Sequence, residues 1–410
     1  MTSRGSERIE ASDFRLRDIA VAAYGPTVVN AIGHGAVLPI LALRARELGA
    51  DVSVAALVVA ALGLGSLVAS LPAGALIARI GERRALTTVG SLDAVAMAFA
   101  ALTDSVLALG LAVVLSGMTW TVFLMARQGF MIDAVPLEMR ARAMSGLGAS
   151  MRVGVLIGPL LGAALIHLGG LTWVFWLASV MSLCSALLAR SMPDFGSEAR
   201  ATTTTHLSVW SVLVEHRRTL LTLGVAVVII AASRSLRIGL LPLWAEHVGL
   251  SASTTSLIFA VAAAVDIAFS FPGGWLMDNY GRFVVAVPVV ATTAVGCLVL
   301  PLATSAAGVA AVMALMAVGN GLGAGIVMTI GADTAPVEGR AQFLGGWRLC
   351  GDIGGSGGAL VVGAVAAAAP LAAACLTMGA LAAVGTVWVG FHTRRLDVRS
   401  GRPGGRLSRR

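Results

Sequence analysis

The sequence predicts an all-α integral membrane protein with twelve transmembrane helices arranged as two pseudo-symmetric six-helix bundles. Three observations predict this fold class. First, 57% of the 410 residues are hydrophobic and only 12% are charged, a balance that a water-exposed surface does not tolerate. Second, the basic residues collect in alternate loops between apolar runs. Third, the two halves of the chain repeat each other at a fixed offset.

Apolar runs of membrane-spanning length recur along the whole chain. A spanning helix needs about 20 apolar residues to cross about 30 Å of hydrocarbon. Breaks rich in charge, Gly or Pro separate twelve such runs. The predicted helices are Ile19 to Leu43, Val52 to Ile77, Ala85 to Leu102, Val106 to Phe130, Met144 to Leu168, Leu171 to Leu188, Leu220 to Leu243, Thr254 to Met277, Phe283 to Ala303, Ala307 to Ile330, Leu344 to Ala368 and Leu371 to Phe391.

The positions of the arginines predict the orientation of these helices. Basic residues accumulate on the cytoplasmic side of a membrane. With a cytoplasmic N-terminus, 22 of the 29 arginines fall in cytoplasmic segments, whereas only Arg44 and Arg46 fall in outer loops. The other five lie within predicted helices: Arg127, Arg152, Arg234, Arg237 and Arg348. An odd number of helices would destroy this asymmetry, so both termini are predicted to be cytoplasmic.

An internal repeat divides the chain into two similar halves. Without any gap, residues match at an offset of 200, for example Pro72 with Pro272 and Gly158 with Gly358. The predicted organisation is therefore a cytoplasmic tail (1–18), a six-helix bundle (19–188), a polar linker (189–219), a second bundle (220–391) and a basic tail (392–410). Parallel repeats of this kind build alternating-access carriers, whose binding sites lie at the midplane between the halves.

Residue types that are missing exclude several chemistries. The chain contains no lysine, so it has neither a phosphate-binding GxxxxGK[ST] loop nor a lysine for a Schiff base. The four cysteines are far apart and show no CxxC spacing, which predicts free thiols and no metal site. No grouping of nucleophile, base and orienting residue is evident, so the protein is not predicted to be an enzyme. The basic balance is explained by topology and predicts no nucleic-acid partner.

Two loops with similar sequences follow the second and eighth helices. The first reads GALIARIGERR from Gly74, and the second reads GWLMDNYGR from Gly274. Glycine permits a tight turn, and arginine at this level attracts inner-leaflet phosphates. The residues predicted to form conformational-gate loops are Gly74, Ala78, Gly81, Arg83, Gly274, Asp278, Gly281 and Arg282.

A third motif lies in the fifth helix. It reads GVLIGPLLG, with glycines spaced by four that permit close helix packing and a proline that removes a backbone hydrogen bond. Its residues are Gly154, Gly158, Pro159 and Gly162.

With these three motifs and two parallel halves, the chain resembles the major facilitator superfamily over essentially its whole length, and particularly its twelve-helix drug:proton antiporters. The resemblance implies that the fifth-helix motif marks an exporter. It also implies that an acidic residue in the gate loop latches the two halves together. That residue is Ala78 in the first loop, so the latch is assigned to Asp278, with Arg152 as its expected partner.

Proton coupling requires a group that changes its charge inside the membrane. Asp266 in the eighth helix is the first candidate and His34 in the first helix is the second. Arg127 in the fourth helix resembles an intramembrane arginine that the family uses in proton transfer; since arginine keeps its proton, it would tune a neighbouring carboxylate or hold substrate. A buried, satisfied polar group is the competing interpretation of Asp266 and His34. The predicted lining of the substrate cavity is Asn30, His34, Arg127, Arg234, Arg237, Asp266 and Asn320.

Two other intramembrane acids are predicted to be structural. Asp352 lies one turn after Arg348, a spacing that favours a salt bridge. Asp93 belongs to the third helix, which in this fold packs away from the cavity.

The favoured function is proton-coupled efflux of a drug or an amphiphilic secondary metabolite, driven by the proton gradient without a bound cofactor. An excess of intramembrane arginine over aspartate favours a neutral or anionic cargo. The alternative is a proton-coupled importer of a small anionic metabolite, with Arg234 and Arg237 as ligands. A non-transporting sensor ranks third. The predicted partners are a small molecule, protons and the lipid bilayer; the predicted state is a monomer in the bacterial cytoplasmic membrane.

Overall fold

The computed structural model describes residues 20–70, 72–135, 140–192, 209–336, 338 and 340–399. The predicted N-terminal tail, residues 193–208 of the predicted linker and the end of the basic tail from residue 400 lie outside this description. The side chains of Ala78, Asp133 and Arg140 also lie outside it.

The described part of the first half is helical apart from short turns. Its helices are α1 (Ala20–Val37), α2 (Leu41–Glu47), α3 (Val52–Ser70), α4 (Pro72–Ile80), α5 (Glu82–Leu102), α6 (Val106–Ala134), α7 (Arg140–Gly169) and α8 (Leu171–Arg190). α1 and α2 form one bent span with an angle of 43° between them.

The second half follows the same order with different breaks. Its helices are α9 (Val209–Glu215), α10 (Arg217–Thr219), α11 (Val225–His247), α12 (Ala252–Tyr280), α13 (Phe283–Val299), α14 (Ala306–Leu322), α15 (Ile326–Thr334), α16 (Arg340–Ala368) and α17 (Leu371–Arg399). A π-helical turn (Leu220–Gly224) precedes α11 and a 3₁₀ turn (Leu300–Leu302) follows α13.

These helices confirm the predicted fold class. Within the described residues, eleven helices are long and apolar enough to span a membrane, and the bent pair α1–α2 makes a twelfth. The described chain contains no β-strand. This is what a bilayer demands, because a helix satisfies its own backbone hydrogen bonds where no water is present.

Repeat-equivalent residues begin repeat-equivalent helices. The side chains of Asp51 and Ser251 accept hydrogen bonds from the backbone amides three residues later, at 2.8 and 3.2 Å. The hydroxyl of Ser53 donates to the carboxylate of Asp51 at 2.7 Å, and this bond, followed by the amide bond, lowers the pKa of Asp51. Ser105 and Ser305 start the fourth and tenth spans in the same way. These caps satisfy amides that a helix start leaves unpaired.

Two pairs of helices supply most of the packing between the two halves, and α11 also contacts α2 and α3. α3 packs against α16, and α7 packs against α12. The largest buried core runs through both halves at the end of the bundle where α2 meets α3, which is the predicted outer end. Toward the other end, each half has a core of its own. Within the described residues, the core shared by the two halves therefore lies at the predicted outer end, and the cores toward the other end belong to single halves.

Candidate functional site

A cavity of about 260 Å³ lies on the seam between the two halves. α1, α3 and α6 line it from the first half, and α11 and α16 line it from the second. Its polar and aromatic lining includes His34, Trp120, Arg234 and Asp352. The structure thus brings two predicted residues, His34 and Arg234, to one cavity at the seam.

His34 presents a flat aromatic surface to this cavity. Its imidazole stacks on the indole of Trp120 from α6, with ring centroids 4.0 Å apart and planes inclined by 1°. Asn30, one turn earlier on α1, is only 4% exposed and lies beside Trp120 in a narrower cleft. The stacked pair is the largest planar surface that an incoming molecule meets on this side.

Asp266 on α12 lies within a polar cluster of the second half. The amide nitrogen of Asn320 on α14 donates a hydrogen bond to its Oδ2 atom at 2.7 Å, and Nη2 of Arg237 on α11 lies 4.0 Å from the same oxygen. The side chain of Asp266 is 28% exposed and that of Arg237 is 18% exposed. Three predicted residues from three helices are therefore neighbours.

Arg234 joins this cluster to the cavity. Its Nη2 atom donates to the carbonyl oxygen of Gly323 at 2.8 Å. That carbonyl is available because the chain leaves its helix between α14 and α15, where Gly325 has a φ of +82°. Arg234 also lies within electrostatic range of Asp266, Arg237 and Arg152.

Several polar atoms of this cluster are buried without a hydrogen-bond partner among the described residues. They are Nε of Arg234, Nε and Nη1 of Arg237 and Oδ1 of Asn320. Leaving a buried donor unsatisfied costs about 1–3 kcal/mol, and more when the group is charged. These donors and this acceptor are therefore available to a bound molecule or to water.

Arg127 on α6 is a second buried guanidinium, 8% exposed. Its Nη2 atom contacts the sulfur of Met151 at 3.4 Å, while Nε and Nη1 have no hydrogen-bond partner in the described chain. Arg348 from α16 in the opposite half lies within electrostatic range. Two positive charges, Arg127 from the first half and Arg348 from the second, therefore lie near each other across the seam.

Asp352 was predicted to form a salt bridge with Arg348, and this prediction is wrong. No ion pair within 4.0 Å joins them in the described structure; instead, the hydroxyl of Ser70 on α3 donates to Oδ2 of Asp352 at 2.6 Å. This hydrogen bond crosses the seam, and Asp352 lines the cavity. Asp352 therefore belongs to the cavity lining. Its spacing from Arg348 had led to the prediction of a purely structural role.

Asp93 is bound inside the first half. It accepts hydrogen bonds from the hydroxyls of Ser116 at 2.7 Å, Thr119 at 3.1 Å and Ser182 at 2.6 Å. Three donors from two helices hold this carboxylate in place.

The predicted latch between Asp278 and Arg152 is not formed in this structure. Asp278 is exposed on the last turn of α12 and has no ion pair with a described side chain, whereas Arg152 lies close to Arg234. The pairing residue of the second loop is Arg282, whose Nε is 2.8 Å from Oδ2 of Asp333. The reason is helical position: the last turn of α12 directs Asp278 outward, while Arg282 follows the turn and points back under the bundle.

Two of the gate-loop glycines occupy backbone conformations that favour glycine. Gly81 has a φ of +79° and Gly281 a φ of +100°. Behind Gly281, the carboxylate of Asp397 on α17 accepts hydrogen bonds from the backbone amides of Arg282 and Phe283 at 2.9 and 2.8 Å. Gly74 and Arg83 lie at the corresponding end of the first half, and Gly274 lies one turn before Asp278.

The fifth predicted helix is α7 in the structure, and its motif glycines pack it against α1. A Cβ atom at Gly158 would meet the backbone of Ile32 and Ala36, and one at Gly154 would lie 2.5 Å from the Cβ atom of Ala31. Gly162 has more room, and α7 continues as a helix through Pro159. Their repeat equivalents Gly354 and Gly358 pack α16 against α11 in the same manner. This motif therefore builds the interior of each half.

One contact across the seam was missed by the sequence analysis. At the predicted outer end, Nε of Arg46 lies 3.1 Å from both carboxylate oxygens of Glu246. Nearby, the hydroxyl of Ser253 donates to the carbonyl of Ala163 at 3.2 Å. The sequence did contain a sign of this contact. Residues 46 and 246 are repeat equivalents of opposite charge, and the axis that relates the halves brings these two equivalents together.

Comparison with known proteins gives a family and a fold. A family model described as Major Facilitator Superfamily matches residues 27–233 and 223–407. Over 165 residues, the chain is 30% identical to the multidrug resistance protein MdtG of Yersinia enterocolitica, and over 164 residues it is 28% identical to MdtG of a Rahnella species. Each alignment covers 39% of this chain and only 40% of the relative.

Solved structures share the fold at low sequence identity. A POT family transporter in complex with 5-aminolevulinic acid aligns with a TM-score of 0.76 and 11% identity, covering 93% of this chain and 96% of the other. A D-xylose-proton symporter aligns with a TM-score of 0.72 and 13% identity, covering 92% and 98%. At such identities the likeness concerns the fold alone.

Proposed function

This chain belongs to the major facilitator superfamily, and we propose that it is a proton-coupled transporter that exports drugs or amphiphilic secondary metabolites by alternating access. The relatives named multidrug resistance proteins favour this cargo class. The packing of the fifth-span glycines Gly154 and Gly158 against α1 is consistent with the exporter motif that they resemble.

The observation that carries the proposal is the uneven joining of the two halves. They share one core at the predicted outer end and have separate cores at the other end, with a cavity on the seam between them. A carrier that is closed outside and open toward the cytoplasm requires this arrangement. Rocking one half against the other then exposes the same cavity to the opposite side.

Asp266 is the proposed proton carrier, with His34 second. Its side chain is partly exposed, so a proton can reach it, and Asn320 is suited to both of its charge states. The amide nitrogen of Asn320 donates to the carboxylate, while its unpartnered Oδ1 accepts the proton of the carboxylic acid after rotation of the amide. Arg127 and Arg237 provide fixed positive charge around the cavity.

The cavity of the conformation described here suits a small amphiphilic cargo. The cavity of about 260 Å³ lies just below the range of about 300–1,000 Å³ that is typical of drug sites. One wall is the stacked pair of His34 and Trp120, on which a flat apolar ring would lie. The opposite wall carries Arg234 and Asp352, which would bind polar groups of the cargo.

Transport in proteoliposomes tests this proposal. A panel of neutral amphiphilic dyes is loaded into vesicles, and an imposed pH gradient should drive dye movement against the proton flow. Asp266→Asn removes the titrating group, so we expect proton-driven movement to be lost while exchange of labelled for unlabelled dye persists. Asp278→Asn, at the exposed end of the same helix, serves as control. Undiminished proton-driven transport by Asp266→Asn would rule out this carrier.

A second candidate function is import of a small anionic metabolite. It is favoured by the unpartnered guanidinium atoms of Arg234 and Arg237. Protonation of Asp266 releases Arg237 from its ion pair, so an anion bound to these arginines and a proton on Asp266 would bind together. An anion would therefore travel in the same direction as the proton.

The direction of coupling distinguishes the two candidates. With a pH gradient imposed, an anionic cargo should accumulate on the alkaline side, whereas an exported neutral cargo should accumulate on the acidic side. Replacing Arg237 by Gln should abolish accumulation of the anion and spare that of a neutral dye. An absence of flux with every cargo under either gradient would remove both functions.

A further inference from the structure

We propose a second binding site, at the cytoplasmic end of the second half, for the phosphate group of an anionic ligand, and we identify an anionic phospholipid headgroup as the source that the surroundings favour. The site is a cavity of about 260 Å³ that is separate from the one on the seam. It lies between α10 with the π-helical turn that follows it (Leu220–Gly224) and the end of α17. Its charged lining consists of Arg218, Arg395, Arg399 and His392.

The ionisable side chains that line this cavity are all basic. No carboxylate lines it in the described part of the chain. The two nearest acids of its elements are engaged elsewhere: Asp397 is fully buried and accepts two backbone amides, and Asp333 is paired with Arg282. Three guanidinium groups that have no ion-pair partner among the described residues line this cavity and attract a multiply charged anion, and guanidinium matches phosphate oxygens in geometry.

One hydrogen bond between helices and one contact within α17 position the walls of the cavity. The indole nitrogen of Trp388 on α17 donates to the carbonyl of Thr222 in the seventh span at 3.2 Å. The guanidinium of Arg395 lies over the ring of Phe391, 4.0 Å from its centroid. The Thr222 hydroxyl already donates to the carbonyl of Arg218 at 2.8 Å, so the arginines supply the hydrogen-bond donors.

His392 supplies an additional donor only in its cationic form. Its Nδ1 lies 3.0 Å from the carbonyl oxygen of Trp388, which accepts a proton and therefore fixes the neutral tautomer with Nδ1–H. Nε2 then carries a proton only when the ring is charged. Recognition of the anion consequently rests on the three arginines.

The apolar surroundings favour a lipid over a free anion. Phe391 is 51% exposed and Trp388 is 40% exposed, and both lie one turn or more toward the membrane from Arg395. Aromatic side chains at this level mark the boundary between hydrocarbon and headgroups. A ligand that places phosphate among the arginines and acyl chains along Trp388 and Phe391 uses both parts of the site.

Lipid retention by the purified full-length protein tests the proposal. Native mass spectrometry would count bound phosphatidylglycerol after exchange from phosphatidylcholine, and thermal unfolding would be followed with phosphatidylglycerol, with phosphatidylcholine or with inorganic phosphate at matched ionic strength. We expect the double variant Arg395→Gln/Arg399→Gln to bind phosphatidylglycerol much more weakly, by about fivefold for each arginine removed. Arg190→Gln, an exposed arginine at the end of α8 in the first half and outside both gate loops, should bind it as wild type does.

The outcomes separate the possible ligands from a mere surface effect. Stabilisation by phosphatidylglycerol but not by phosphate, lost in the double variant, establishes a lipid site; stabilisation by phosphate alone, lost in the same variant, establishes a soluble-phosphate site. Equal retention of phosphatidylglycerol by the double variant and Arg190→Gln would overturn the proposal. Unfolding in phosphatidylcholine shows whether the variant folds, and Arg395→Lys/Arg399→Lys, which keeps the charge, should recover part of the binding.

Discussion

The ion pair between Arg46 and Glu246 provides a quantitative test of alternating access. It joins the halves at the predicted outer end, where the distance from Nε to each carboxylate oxygen is 3.1 Å. In a state open to the outside this contact must break. Reversing the charge of one partner, as in Arg46→Glu, should therefore favour the outward-open state over the one described here.

The magnitude follows from the exposure of the pair. The two side chains are 32% and 35% exposed, so solvent screens the attraction and the pair is worth only about 0.2–1 kcal/mol. That energy corresponds to a change of about 1.4- to 5-fold in the ratio of the two states. Arg46 also donates to the carbonyl of Ala50 at 2.6 Å, but both residues belong to the first half, so losing this bond should not change the ratio of the two states.

Distance measurements by pulsed electron resonance would show the shift. Spin labels at Glu47 and His247, which are exposed repeat equivalents next to the pair, would report the separation of the halves. The double reversal Arg46→Glu/Glu246→Arg exchanges the partners and should restore most of the original distribution. If the single reversals leave the distribution unchanged, or the double reversal restores nothing, the pair does not hold the outer end closed.

Three further predictions concern packing, the second gate loop and the cavity acid. Gly158→Val would place a side chain against the backbone of α1, so we expect a loss of about 1–3 kcal/mol in stability, measured by thermal unfolding in detergent. Asp397→Ala removes the acceptor of two backbone amides around Arg282 and should cost about 1–3 kcal/mol for each donor left unpaired, measured in the same way. Asp352→Asn keeps an oxygen for the Ser70 hydroxyl but removes a charge from the cavity, so we expect unchanged stability and an altered pH profile of transport.

Each of these variants has a matched control. A side chain at Gly148, on the same helix as Gly158, meets nothing within 4 Å, so Gly148→Val should be far milder. Asp278→Ala removes an exposed carboxylate near the same loop as Asp397 and should not lower stability. Ser70→Ala keeps the titratable carboxyl of Asp352, so transport should still depend on pH in that variant; identical profiles for Asp352→Asn and wild type would contradict the role given to that acid.

The sequence alone determined the fold class, because membrane insertion depends on local properties. Run length and apolar content identify spans regardless of what they pack against, and the structure confirms them. Glycine spacing similarly predicted close helix packing at Gly158, since only the absence of a side chain permits that approach. The sequence could also indicate that Asp266 lies near Asn320 and Arg237, because all three were predicted to face one cavity.

Only the tertiary structure decided which charges meet. Asp352 lies four residues from Arg348, yet its hydrogen-bond donor is Ser70, 282 positions away on a helix of the other half. Asp278 was assigned Arg152 as its partner on the latch that the family resemblance implies, but Asp278 is exposed on the last turn of its helix. Sequence spacing reports which residues share a helix face, but the rotation and separation of the two halves, set by packing along the seam, select the partner across it.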